Sequence, residues 1–202
     1  MLGAVIAGGR SSRFGSDKAV ALLGGRPLID HAIGILTPHV DRLVICGRQW
    51  SGLTSLADPA PDLGPLGGIA AALAYAEAEG FGSVLTIACD MPEVPEATLV
   101  EVLAALPSYC ADAPILGHWP ANMASALLVH VSIPPASLIS RQAMPGSPPV
   151  APVPPAARVD AGITKSGGKQ GRLSIRRWAD AIGATAVPAP NLRNINTPAD
   201  LT

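Results

Sequence analysis

Between Gln49 and Ser140 the chain has no lysine or arginine at all, although nine carboxylates fall there. Charge is scarce everywhere: 14% of 202 residues, against roughly 25% in a typical soluble domain. The formal net charge of −1 hides the unevenness, because six basic and three acidic residues lie in Met1–Arg48 and eight basic and three acidic in Arg141–Thr202. Such a chain lacks the strongly basic face of a nucleic-acid binder. It also lacks any apolar run near the ~20 residues of a membrane span, and MLGAVIAGGR has no basic region ahead of its apolar stretch. A cytoplasmic protein bound to neither nucleic acid nor membrane is expected. Cys46, Cys89 and Cys110 are odd in number and contain no CxxC pair, which excludes a disulfide framework and a cysteine zinc site. Buried free thiols are expected instead.

Apolar residues make up 49% of the chain, enough for one sizeable core. Short apolar runs alternate with stretches of helical period, the pattern of an α/β domain with a mainly parallel sheet. Strands are expected at Leu2–Ala7, Arg42–Cys46, Ser83–Ala88, Ala113–Leu116 and Ala184–Val187. Helices are expected at Asp30–Leu36, Gly67–Glu79, Pro95–Leu106 and Ser174–Ile182. From Pro134 to Pro155 eight prolines accompany a single charge, Arg141, which excludes a regular helix or central strand. With the SGGKQG that follows, this predicts one domain over 1–202 carrying a flexible Pro/Gly-rich insertion at about 131–170.

Four segments carry chemistry. The first strand runs into Ile6-Ala7-Gly8-Gly9-Arg10-Ser11-Ser12-Arg13-Phe14-Gly15-Ser16-Asp17-Lys18. Glycines let backbone N–H groups approach an anion, and Arg10, Arg13 and Lys18 supply countercharge. Neither GxGxxG nor GxxxxGK[ST] fits this spacing, which disfavours a Rossmann dehydrogenase and a Walker-type kinase or GTPase. Cys89-Asp90-Met91-Pro92 places a carboxylate at the end of an apolar strand, where α/β proteins bind ligands and where Asp commonly holds a divalent cation against phosphates. In Asp58-Pro59-Ala60-Pro61-Asp62-Leu63-Gly64-Pro65-Leu66-Gly67-Gly68, a Gly/Pro loop opens a helix whose small residues leave room for a planar base, with an Asp to accept from it. Finally, Asn194-Ile195-Asn196-Thr197-Pro198 sets two amides before a last helical turn capped by Thr197. The four histidines show no ligand spacing, and Trp50, Trp119 and Trp178 are too scattered for a stacking platform. Arg172, Arg176 and Arg177 read as a solvated helix face.

In this order the segments IAGGRSSRFGSDK, DLGPLGGI, ACDMP and NINTPADL resemble the molybdenum cofactor guanylyltransferase family of nucleotidyltransferases, over about Leu2–His118 and Gly171–Leu201. The resemblance implies a Rossmann-like three-layer α/β/α sandwich. It implies transfer of GMP from GTP to the terminal phosphate of molybdopterin, with pyrophosphate released. By matching position, Ile6, Ala7, Gly8, Gly9 and Lys18 would hold the nucleotide and Asp90 both GTP and Mg²⁺. Asp58 or Asp62 would contact the nucleotide, Asn194 and Asn196 would face the pterin, and Arg13 and Lys18 would neutralise the departing pyrophosphate. A molybdoenzyme or cofactor-biosynthesis protein is the further partner it suggests. After the second strand the family often has an Asn where this chain reads Cys46-Gly47-Arg48. Two other readings stand beside this one: a cytidylyl- or other nucleotidyltransferase, and a catalytically silent paralogue. The second glycine of Ile6-Ala7-Gly8-Gly9 leans toward the guanylyl branch.

Overall fold

In the computed structural model, residues 1–8, 17–131, 174–190 and 192–201 are described. Apart from Val131, the expected insertion at 131–170 lies outside them, as do Gly9, Arg10, Arg13 and Arg172. The chain begins with β1 (Leu2–Ile6), a short antiparallel hairpin of β2 (Leu22–Leu23) and β3 (Arg26–Pro27), and α1 (Leu28–Leu36). There follow β4 (Arg42–Cys46), β5 (Thr54–Leu56), α2 (Pro65–Ala78), β6 (Ser83–Ala88) and α3 (Glu96–Ala104). After these come β7 (Ser108–Cys110), β8 (Gly117–Pro120), α4 (Ala124–His130), α5 (Ile175–Ala181) and β9 (Thr185–Val187).

Seven strands form one sheet in the order β5-β4-β1-β6-β8-β7-β9. All ladders are parallel except those of β8, which is antiparallel to both β6 and β7. The central strands read as unbroken apolar runs because both faces are covered. Along β1 the pleat sends Leu2, Ala4 and Ile6 into the layer of α2, α4 and α5, while Val5 joins the layer of α1 and α3. This is the expected three-layer α/β/α sandwich.

Two local expectations are corrected. Ala113–Leu116 is a turn between β7 and β8, not a strand. Pro114 has no N–H to give a ladder, and the Leu116 amide closes back on the Ala113 carbonyl at 2.9 Å. The small residues of α2 also serve packing instead of leaving room for a base. Gly67, Gly68, Ala70 and Ala71 are all buried, and a Cβ on Gly68 would stand 3.1 Å from both Cys46 and Ile6. Two of the scattered tryptophans meet in the core: the Trp119 and Trp178 rings are 4.8 Å apart, with Tyr109 stacked 6.4 Å from Trp119.

Candidate nucleotide and acceptor site

β4 pairs with one side of β1 and β6 with the other, so strand order reverses at β1. A crevice opens where strand order reverses in this way. β6 delivers Asp90 to it, two residues past Ala88, after the Cys89 amide has bonded the Ile6 carbonyl at 3.1 Å.

Around Asp90 three of the expected residues, Lys18, Asn194 and Asn196, converge from distant parts of the chain. The Lys18 ammonium donates to Asp90 Oδ2 at 2.6 Å and to Asn196 Oδ1 at 3.4 Å. With its amide nitrogen turned toward Asp90, Asn194 donates to both the Asp90 carbonyl and Oδ1 at 3.2 Å. The Ile195 amide adds a bond to the Asp90 carbonyl at 3.0 Å, fixing the Asn194–Asn196 segment across the mouth of β6. Asp200 organises that segment from behind. Its carboxylate accepts from the Asn196 and Thr197 amides at 2.8 and 2.7 Å, and these bonds hold its pKa below the usual carboxylate range.

A second group lines a cavity of about 310 Å³ formed by Gly8, Gly47, Arg48, Gln49, Ser55, Leu56, Ala57 and Asp58. Gly47 has φ +88°, and a Cβ there would fall 2.3 Å from the Gly8 Cα. The two strand ends therefore touch through bare backbone. Asp58 closes the cavity near the start of α2, where a Cβ on Gly67 would lie 2.9 Å from its carboxyl carbon. Half-burial pushes its pKa up, because desolvation disfavours the charged form. Asp62 sits instead on an exposed turn with φ 61°, so of the two aspartates the geometry brings Asp58 to the cavity. Ile6 and Ala7 are buried, and the Ile6 side chain packs on α2, so these two residues have little but backbone to offer the crevice. Gly9 and Arg13 lie outside the described residues.

Sequence reasoning missed two residues here. Arg48 lines the cavity, and its guanidinium donates to the Ala7 carbonyl at 3.3 Å and to Asp17 Oδ2 at 2.7 Å. Asp17 in turn caps the 3₁₀ turn Lys18–Val20 through the Ala19 amide. The signal for Arg48 was a basic residue following a buried strand, and Asp17 stood in the glycine-rich motif directly before Lys18 with no role of its own assigned.

Cys46 and Cys110 are buried, all three cysteines are free, and burial pushes the Cys89 thiol up to about 12. Among the described residues no group of three His, Cys, Asp or Glu could cage a metal ion. Asp90 presents a single, partly exposed carboxylate. That donor set fits Mg²⁺, which is held by one or two carboxylates and keeps its other positions for phosphate oxygens and water.

Residues 3–162 match the profile of the MobA-like NTP transferase domain. The chain belongs to that family. Among curated relatives, the molybdenum cofactor guanylyltransferase of Sinorhizobium fredii is 40% identical over 111 residues, 50% of this chain and 51% of that protein. The one from Cereibacter sphaeroides is 35% identical over 141 residues, 63% of this chain and 72% of that protein. The chain thus spans about half the length of the first of these relatives. Molybdopterin-guanine dinucleotide biosynthesis protein A from Archaeoglobus fulgidus superposes with a TM-score of 0.61 at 22% identity, covering 100% of this chain and 95% of that one. At that identity the likeness concerns the MobA-like fold, with its mostly parallel sheet between helical layers. No helix among the described residues is long and apolar enough to cross a membrane.

Proposed function

We propose that the protein transfers GMP from GTP to the terminal phosphate of molybdopterin, forming the guanine dinucleotide form of the cofactor in the cytoplasm. The observation that carries this reading is the meeting of Lys18, Asp90, Asn194 and Asn196 at the end of β6 in a MobA-like chain. The guanylyltransferase names of its relatives supply the nucleotide and acceptor.

In the reaction an oxygen of the acceptor phosphate attacks the α-phosphorus of GTP. A new P–O–P bond forms, the bond to the oxygen bridging the α- and β-phosphorus breaks, and pyrophosphate leaves with the electron pair. The acceptor oxygen is already anionic, so no strong base is required; repulsion and alignment limit the rate, and positioning and electrostatics are what the protein supplies. The backbone at Gly8 and Gly9 receives the triphosphate. Lys18, freed from Asp90 by the incoming phosphates, neutralises charge on the departing pyrophosphate together with Arg13. Asp58 accepts from the base or ribose, and Asn194 and Asn196 orient the pterin. Asp90 would hold Mg²⁺, which when bound screens phosphate charge. Residues 1–202 act as one transferase domain, with 131–170 as its insertion.

Incubation with molybdopterin, Mg²⁺ and GTP, CTP, ATP or UTP in turn, following pyrophosphate and dinucleotide product, tests the reading. GTP is expected to be preferred. Preference for CTP would overturn the choice of nucleotide, and no product with any nucleotide would overturn transfer itself.

A further inference from the structure

Arg48 joins two points ten residues apart in sequence, on either side of the glycine-rich stretch. One arm of its guanidinium meets the Ala7 carbonyl, where β1 ends, and the other meets the Asp17 carboxylate, where the chain returns. Asp17 performs a second task with its other oxygen, accepting the Ala19 amide at 3.2 Å and so capping Lys18–Val20. That short turn is anchored below by Ala19, which is 2% exposed among the residues of the α1 layer. Lys18 leaves from the same turn toward Asp90. A continuous chain of contacts therefore runs from the end of β1 through Arg48 and Asp17 to the direction of the Lys18 side chain. Arg48 is partly shielded, with 23% of its side chain exposed, while Asp17 is exposed at 46%. A planar fork holds two acceptors at fixed angles to each other, whereas a lysine ammonium is a compact charge on a flexible stem whose three rotatable donors impose no such geometry.

We infer that Arg48 is the positioning residue of this site: by clamping Asp17 to the end of β1 it sets where Lys18 stands relative to Asp90 and the phosphates. Only the kinetic test of this inference rests on the transferase reading.

Lys18, Lys165 and Lys169 are the chain's three lysines, so selective lysine labelling gives an NMR spectrum of three side-chain signals. Lys18→Arg identifies the Lys18 signal, and Asp90→Asn shows where it lies without its partner. Arg48→Ala is expected to move the Lys18 signal toward that unpaired position. Asp17→Asn, which keeps an oxygen for the Ala19 amide but turns a donor toward Arg48, is expected to do the same and serves if Arg48→Ala fails to fold. In the transfer assay Arg48→Ala should lower kcat between about tenfold and 100-fold, as expected for a small misplacement, with KM for GTP within about threefold of wild type. Arg48→Lys should recover little. An unmoved Lys18 signal in either variant overturns the inference, as does a raised KM at unchanged kcat, which would make Arg48 a direct nucleotide contact. If the wild type transfers nothing, the transferase reading fails and the lysine spectra still decide the role of Arg48.

Discussion

Asp58 shows at the scale of one residue how a site opposes the fold that carries it. Its carboxylate is half-buried against Gly8 and the start of α2, and desolvation raises its pKa. A group whose folded pKa lies above its unfolded one binds protons more tightly in the folded state, so stability falls as pH rises between the two values and the loss persists above them. At neutral pH the ionised Asp58 is therefore a liability to the empty protein. Asp58→Asn should raise the melting temperature at pH 7, and the difference from wild type should shrink as pH drops through the ordinary carboxylate range. The same substitution should weaken nucleotide binding, because the amide presents one acceptor where the carboxylate presents two. Melting curves from pH 3 to 8 check the first part and GTP titration calorimetry the second. A variant less stable than wild type at pH 7 would show that Asp58 is compensated in the folded state.

At the scale of elements, the site exists because β1 and β4 end in contact. Gly47 adopts φ +88° and lets its backbone reach Gly8, where a methyl group would overlap the Gly8 Cα. Gly47→Ala combines a left-handed conformation without glycine and a backbone clash, so a loss of about 2 kcal/mol or more is expected, read as a lower midpoint in urea. If the midpoint holds, the strand ends can separate without penalty. The sequence made the framing strands legible because β1, β4 and β6 are continuous apolar runs between two helical layers, and their ends carry Asp90 and the glycine-rich motif. It did not reveal the β7–β8 pair. The apolar Ala113–Leu116 is a turn around Pro114, and the flanking strands are short and built on Ser108, Tyr109 and Gly117. Nor did it reveal Arg48, whose role depends on Ala7 and Asp17 meeting in space. The small residues of α2 were visible but open to two uses, and helix–sheet packing claimed them.

Across the whole molecule the uneven charges become intelligible. Among the described residues three ion pairs tie the acid-only middle of the chain to its basic ends: Lys18 with Asp90, Arg42 with Glu79, and Arg193 with Glu93. The latter two are substantially exposed and contribute little, whereas Lys18 and Asp90 are only 14% and 23% exposed and satisfy each other at 2.6 Å. Mg²⁺ arriving alone must take Asp90 from Lys18 and leave that ammonium without its partner. GTP arriving alone brings phosphates to Lys18 but sets them beside the released Asp90 carboxylate. Only together do metal and nucleotide give both groups an opposite charge. The expected outcome is therefore cooperative: Mg²⁺ with GTP at a hundredfold excess over its Kd should stabilise the fold by about 2.7 kcal/mol. For a chain of this size that is a rise of roughly 5 to 10 °C in melting temperature. Mg²⁺ alone should give no measurable shift, and GTP with a chelator a smaller one than the pair. Lys18→Ala removes the competitor, so in that variant Mg²⁺ alone should gain a stabilising effect that the wild type lacks. A wild-type protein stabilised as much by Mg²⁺ alone as by the pair would mean that Lys18 does not guard Asp90.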